Sequence, residues 1–148
     1  MRDDRGMNSY EESWNRERDP LTQKVIGSAI EVHRRLGPGL LESTYEQCLA
    51  HELSLSGVAF RLQTRMPVNY RDIKLDCGYR VDMFVENRVI VEIKAVEQLL
   101  GVHEAQVITY MRLADVPVGL LINFNVKLLR DGVRRLFPYP SRGSLFSI

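Results

Sequence analysis

The segment Arg80-Val-Asp-Met-Phe-Val-Glu-Asn-Arg-Val-Ile-Val-Glu-Ile-Lys-Ala95 constrains this chain most, because two alternating runs flank a turn that fixes how they pair. With Glu86-Asn87-Arg88 as a three-residue turn, Val85 stands opposite Val89, Met83 opposite Val91 and Val81 opposite Ile93, a continuous apolar face. The other face carries Phe84 opposite Ile90, Asp82 opposite Glu92 and Arg80 opposite Lys94. Like charges directly opposite one another repel, so Asp82 and Glu92 need a proton or a cation between them. A hard divalent ion meets that need, since magnesium is usually held by one or two carboxylates plus waters and phosphate oxygens. Lys94 shares the face of Glu92, because side chains alternate along a strand. From there it can orient an attacking water or offset negative charge in a transition state. Taken alone, the Asp…Glu-x-Lys triplet also fits a hairpin of different register whose polar face meets solvent.

Around this hairpin the period is helical first. Asp19-Pro20 is an N-cap followed by proline at the first helical position, and Leu21, Val25, Ile26, Ala29, Ile30, His33 and Leu36 recur at helical spacing until Gly37-Pro38-Gly39 stops them. A second helix is expected from about Leu40 to Leu55, with Leu41, Tyr45, Cys48, Leu49 and Glu52 on one stripe and Gly57 closing it. Alternation then predicts strands near Met66–Tyr70, Lys74–Tyr79, Val81–Val85 and Val89–Ala95. Helical spacing returns from Gln98 to Ala114, with Gly101 as an optional later start. The uncharged run Val118 to Phe124 reads as a strand buried on both faces. A short strand near Val133–Phe137 precedes Pro138 and Pro140. The expected fold is a mixed α/β domain, a central sheet flanked by helices.

The chain's 148 residues suffice for one domain with a real core. The expected division is a polar N-terminal arm over 1–18, a domain over 19–140 and a tail over 141–148. With 45% hydrophobic and 26% charged residues, and no apolar run near the roughly 18 residues of a membrane span, a cytoplasmic protein without a membrane partner is the expectation. Nothing at the N-terminus resembles a secretory signal. Cys48 and Cys77, the two cysteines, lack a neighbouring Cys or His at metal spacing and are expected to be buried thiols. The net charge of +1 excludes a global basic field. Charge is nevertheless uneven: residues 1–20 hold four Arg against six Asp and Glu, while Lys127, Arg130, Arg134, Arg135 and Arg142 face only Asp131. That stretch is either a nucleic-acid contact or a solvated edge.

A second motif stands apart from the hairpin, Gly39-Leu-Leu-Glu-Ser-Thr-Tyr45. In a helix beginning near Leu40, Glu42 borders the Leu41–Tyr45–Leu49 stripe and turns partly inward. As an acid in a first helical turn it is equally a dipole partner. Gln106 and Tyr110, four apart, share a helix face. Tyr110 can be core and Gln106 an internally satisfied amide. His103 is expected to be exposed or structural, with proton transfer the minority reading.

Gly39, Glu42 and Tyr45 together resemble the GxxExxY signature of a family of small prokaryotic proteins within the PD-(D/E)XK nuclease-like superfamily. The resemblance spans about residues 21–137 and includes Asp82, Glu92-Ile93-Lys94 and the Gln106…Tyr110 pair. It implies a restriction-endonuclease-like core in which Glu42, Asp82, Glu92 and the backbone carbonyl of Ile93 hold magnesium, with manganese as a substitute. It also implies that Gln106 positions the metal-bound water or the nucleic-acid backbone. Val81 stands where the superfamily's proline would precede the aspartate.

The expected function is therefore magnesium-dependent hydrolysis of phosphodiester bonds, with DNA the favoured substrate, carried by Glu42, Asp82, Glu92, Lys94 and Gln106. The alternative is a catalytically silent nuclease fold that binds nucleic acid or protein. Lys127, Arg130, Arg134 and Arg135 are the expected nucleic-acid contacts, and a homodimer or protein partner stays open.

Overall fold

The computed structural model describes residues 19–138. The arm over 1–18, Arg142 and the tail over 141–148 lie outside the described residues. At the domain's start the Asp19 carboxylate accepts the Thr22 amide at 3.2 Å, and helix α1 spans Pro20–Leu36. Helix α2, Glu42–Leu55, begins two residues later than expected. Leu41 is 73% exposed, so it caps the helix rather than joining its buried stripe of Tyr45, Leu49, Ala50 and Leu53.

Strands β1 Phe60–Arg65, β2 Val68–Tyr70, β3 Ile73–Leu75, β4 Arg80–Val85 and β5 Val89–Lys94 follow, then helix α3 Gly101–Ala114, strand β6 Val118–Asn123, a 3-10 turn Leu129–Gly132 and strand β7 Val133–Leu136. The main sheet has the order β1-β4-β5-β6-β7, and β2 with β3 forms a separate ribbon. β5 pairs antiparallel with β4 and parallel with β6, so α3 is the crossover that returns the chain for a parallel strand. The expected strand over Lys74–Tyr79 shrinks to β3. β1 was not expected, because most of its residues are exposed at the sheet's edge and leave no apolar alternation to read.

Two apolar layers cover the sheet. On one face Val25, Ala29, Tyr45, Leu49 and Leu53 from α1 and α2 pack against Met83, Val85, Val89, Val91 and Ile93. On the other, Val107, Tyr110 and Met111 of α3 pack against Phe84, Ile90 and Leu121. β6 is buried along its whole length between them, as its uncharged sequence predicts. Gly119 lets α3 approach: a Cβ there would lie 2.7 Å from both Met111 Sδ and Val107 Cγ1. The thiols differ from expectation, with Cys48 half-buried and Cys77 exposed, since the β3–β4 connection that carries Cys77 runs over the surface. No helix among the described residues is long and apolar enough to cross a membrane.

Candidate metal centre at the end of the central hairpin

The turn at 86–88 sets the expected register, with Val85 opposite Val89, Phe84 opposite Ile90 and Met83 opposite Val91. Beyond Met83 the backbone ladder between β4 and β5 stops, and carboxylates take its place. The Asp82 amide donates to Glu92 Oε1 at 2.8 Å, and the Ile93 amide donates to Asp82 Oδ2 at 2.8 Å. The expected continuation to Val81–Ile93 and Arg80–Lys94 is absent from this ladder for that reason. Val81 also leaves the expected face and packs with Phe84, Ile90 and Tyr110 on the α3 side. Across the other edge of β4, Gln63 has φ 49° and donates from its amide to Asp82 Oδ1 at 3.3 Å. Asp82 is thus the point where regular pairing yields on both sides.

The GxxExxY motif gains a structural account from the loop before α2. Gly39 has φ 99°, a conformation that L side chains rarely adopt. The Tyr45 hydroxyl donates to the Gly37 carbonyl at 2.6 Å and accepts from the Leu40 amide at 3.1 Å, tying the loop to its helix. The Tyr45 ring stacks on Phe124, with centroids 4.4 Å apart and planes 7° from parallel. So anchored, α2 directs Glu42 across to the end of β5, where Glu42 Oε2 accepts the Ala95 amide at 3.1 Å.

Burial shapes the electrostatics. Glu92 is only 6% exposed, and burial first, then the charge of Asp82, pushes its carboxyl up to about 8. Asp82 is also raised, chiefly by burial and further by Glu42, against lowering by the Ile93 amide, Gln63 and Lys94. Lys94, half-buried one residue past Ile93, lowers both acids.

All donors gathered here are carboxylate oxygens, the ligand type of hard divalent cations rather than of soft metals. Among the described residues no group of three or more His, Cys, Asp or Glu side chains is placed to hold a metal ion. Each of Glu42, Asp82 and Glu92 does commit an oxygen to a backbone amide, which holds it in place. The raised acids mark a site that favours neutralisation, and a cation would supply it as a proton does. The residues therefore fit a hard divalent ion in the chemistry of their oxygens, though not in their present placement.

Gln106 Nε2 donates to the buried Tyr110 hydroxyl at 3.2 Å. Burial and the nearby Glu92 raise the Tyr110 pKa, which puts this pair beside the carboxylates. His103 serves locally, its Nδ1 accepting the Leu100 amide at 2.9 Å at the start of α3.

The expected basic surface divides. Lys127 and Arg130 line a groove of about 640 Å³ with His33, Arg34, Gly37 and Pro38. Arg134 instead pairs with Glu104 of α3 at 3.3 Å. Arg135, the next residue on β7, points to the opposite face, and its Nε is buried without a hydrogen-bond partner. Strand alternation puts Arg134 and Arg135 on opposite faces of β7.

Three residues near the centre escaped sequence reasoning. Glu46, one turn after Glu42, accepts from Gln63 at 2.8 Å and is raised by burial and then by Asp82. Its i+4 spacing from Glu42 was the available signal. Gln63 gave none, lying on the unexpected strand. Asn123, 2% exposed, accepts the Val96 amide at 3.0 Å and donates to the Val96 carbonyl at 2.9 Å, extending the β5–β6 pairing by a side chain. It was legible as the one amide in an apolar run.

A mixed sheet between helical layers, with acids at the end of its central strand, defines a nuclease-type α/β core. Residues 19–136 match the model of the PD-(D/E)XK nuclease superfamily, and the chain belongs to that superfamily. Neither the curated proteins nor the solved structures give a significant match.

Proposed function

We propose that this chain is a magnesium-dependent nuclease of the GxxExxY branch, hydrolysing phosphodiester bonds of nucleic acid, with DNA the favoured substrate. The observation that carries it is the reciprocal bonding of Asp82 and Glu92, which holds a half-buried and a buried acid together with Lys94 beside them and Glu42 at Ala95. The arrangement of Gly39, Glu42 and Tyr45 supports the branch.

Glu42, Asp82, Glu92 and the Ile93 carbonyl would hold the ion, and manganese would substitute for magnesium. When bound, it supplies a Lewis acid for the phosphate and lowers the pKa of an attacking water. Lys94 offsets charge on the phosphate oxygens and orients the water. Gln106, steadied by Tyr110, positions that water or the strand's backbone. Lys127 and Arg130 hold phosphates away from the cut.

The test is a cleavage screen with magnesium and with manganese over single-stranded, double-stranded, flapped and junction DNA and RNA, using Glu92→Gln as the control for contaminating nuclease. Cleavage of DNA by wild type alone is expected. Metal and nucleic-acid binding without any cleavage lost in Glu92→Gln would make the chain a silent binding domain.

A further inference from the structure

A second groove, of about 520 Å³, opens on the α3 face and is lined by Val68, Tyr79, Val102, Gln106 and Tyr110 among others. Its lining carries no formally charged side chain. That sets it apart from the groove of Arg34, Lys127 and Arg130, whose cations suit phosphate. Tyr79 is 46% exposed and meets the Tyr110 ring at 6.4 Å and 59°, so an aromatic face stays open to the groove while its neighbour is buried.

Tyr110 forms a wall shared with the candidate centre: its ring packs in the cluster that contains Val81, the residue before Asp82. Whatever enters the groove meets Tyr110, whose hydroxyl also feels the charges of Glu92 and Asp82. The neutral part of a nucleotide is its base, and bases are recognised when unpaired by stacking on aromatic rings with an amide or hydroxyl reading the edge. Tyr79 offers the ring and Thr109, exposed on the same lining, a hydroxyl. The volume is within the range of small-molecule pockets and takes one base with its sugar.

We propose that this groove receives one unpaired nucleobase of the substrate strand, next to the phosphate that is cut. This rests on the nucleic-acid reading of the neighbouring centre and deepens it: the substrate class is a single strand, or a duplex with a frayed or flapped end. A closed, blunt duplex offers no base to the groove.

The test is binding, in chelator, of a single-stranded oligonucleotide carrying 2-aminopurine and of its blunt duplex. Wild type and Tyr79→Phe should quench the 2-aminopurine fluorescence, since stacking needs the ring and not the hydroxyl. Tyr79→Ala should weaken single-strand binding about 5- to 100-fold, the range of aromatic–base stacking, with a smaller effect on the duplex. Ala105→Phe, which fills the groove from α3 without removing any polar group, should give the same loss with an unchanged thermal melt. Wild-type affinity in both Tyr79→Ala and Ala105→Phe, without quenching in wild type, would overturn the proposal and leave the groove to a protein segment. Because the assay requires no turnover, a failed cleavage screen leaves its result standing, and cleavage with an indifferent groove sinks this inference alone.

Discussion

The amide of Asp82 donates to the Glu92 carboxylate at 2.8 Å, and the Asp82 carboxylate takes the next amide of the Glu92 strand, that of Ile93, at the same distance. Two acids thereby replace rungs of a backbone ladder. Neither can swing away without freeing a backbone amide of the facing strand, so the fold keeps them close and burial favours a proton on Glu92.

A dependence of stability on pH follows. In the folded chain Glu92 titrates at about 8, against an ordinary 4.5. Between those values the folded state keeps a proton that the unfolded state has released. The contribution is therefore complete below about 4.5 and is lost as pH rises through about 8. In chelator, the Tm difference between wild type and Glu92→Gln should move against wild type across this window. Magnesium should raise the wild-type Tm more at pH 8 than at pH 6, since ligand carboxylates must be deprotonated. A wild-type Tm that gains on Glu92→Gln with rising pH would refute the assignment.

Lys94 should matter for rate more than for binding. Lys94→Met keeps much of the side-chain length and removes the charge. Cleavage should fall about 100-fold or more, the scale of one preorganised electrostatic contact, while calorimetry still detects magnesium. Asp82→Asn should instead weaken the ion's affinity. Equal loss of magnesium binding in both variants would count against a separate role for Lys94.

Asn123 should contribute to folding. Its side chain holds the Val96 amide and carbonyl and also accepts the Asn125 amide at 3.2 Å. Asn123→Ala leaves the Val96 and Asn125 amides without their partner, while the Val96 carbonyl keeps the Asn125 side-chain amide at 3.4 Å, at a cost of about 1–3 kcal/mol. Urea unfolding monitored by circular dichroism measures it. A change below about 0.5 kcal/mol, the size of an ordinary surface substitution, would show that water replaces the amide.

Salt dependence should separate the basic residues. Lys127→Glu and Arg130→Glu should each reduce the slope of log affinity against log salt by about 0.7–0.9, as expected for a lost phosphate contact. Arg134→Glu should do less, because Arg134 already faces Glu104. Equal slopes for all three would return the contact surface to β7.

The local parts of this fold were open to sequence reasoning, and the non-local parts were not. Asp19-Pro20, the turn at 86–88 and the uncharged run after Pro117 each determine structure through their own neighbours, and each element formed where expected. The facing of Asp82 and Glu92 followed from that turn. What failed was continuation of the alternation through Asp82, because a carboxylate that accepts a neighbouring amide competes with the backbone for it. β1 was hidden since edge strands need no apolar pattern. Within the basic stretch, the division of Arg134 from Arg135 was not legible from proximity along the chain, because neighbouring residues of β7 point to opposite faces.

The stacking of Tyr45 on Phe124 carries a consequence for when the centre comes into being. Phe124 also donates its amide to the Lys94 carbonyl at 2.9 Å, so one residue late in the chain braces both the helix that presents Glu42 and the strand that ends in Lys94. During synthesis, Glu42, Asp82 and Glu92 all leave the ribosome before that brace exists. A nascent chain of 95 to 123 residues has Glu42, Asp82 and Glu92 but lacks the residue that braces α2 and the end of β5 together. The hairpin can bring Asp82 and Glu92 together early, but the bracing of Glu42's helix against the end of β5 is tied to near-completion of the domain.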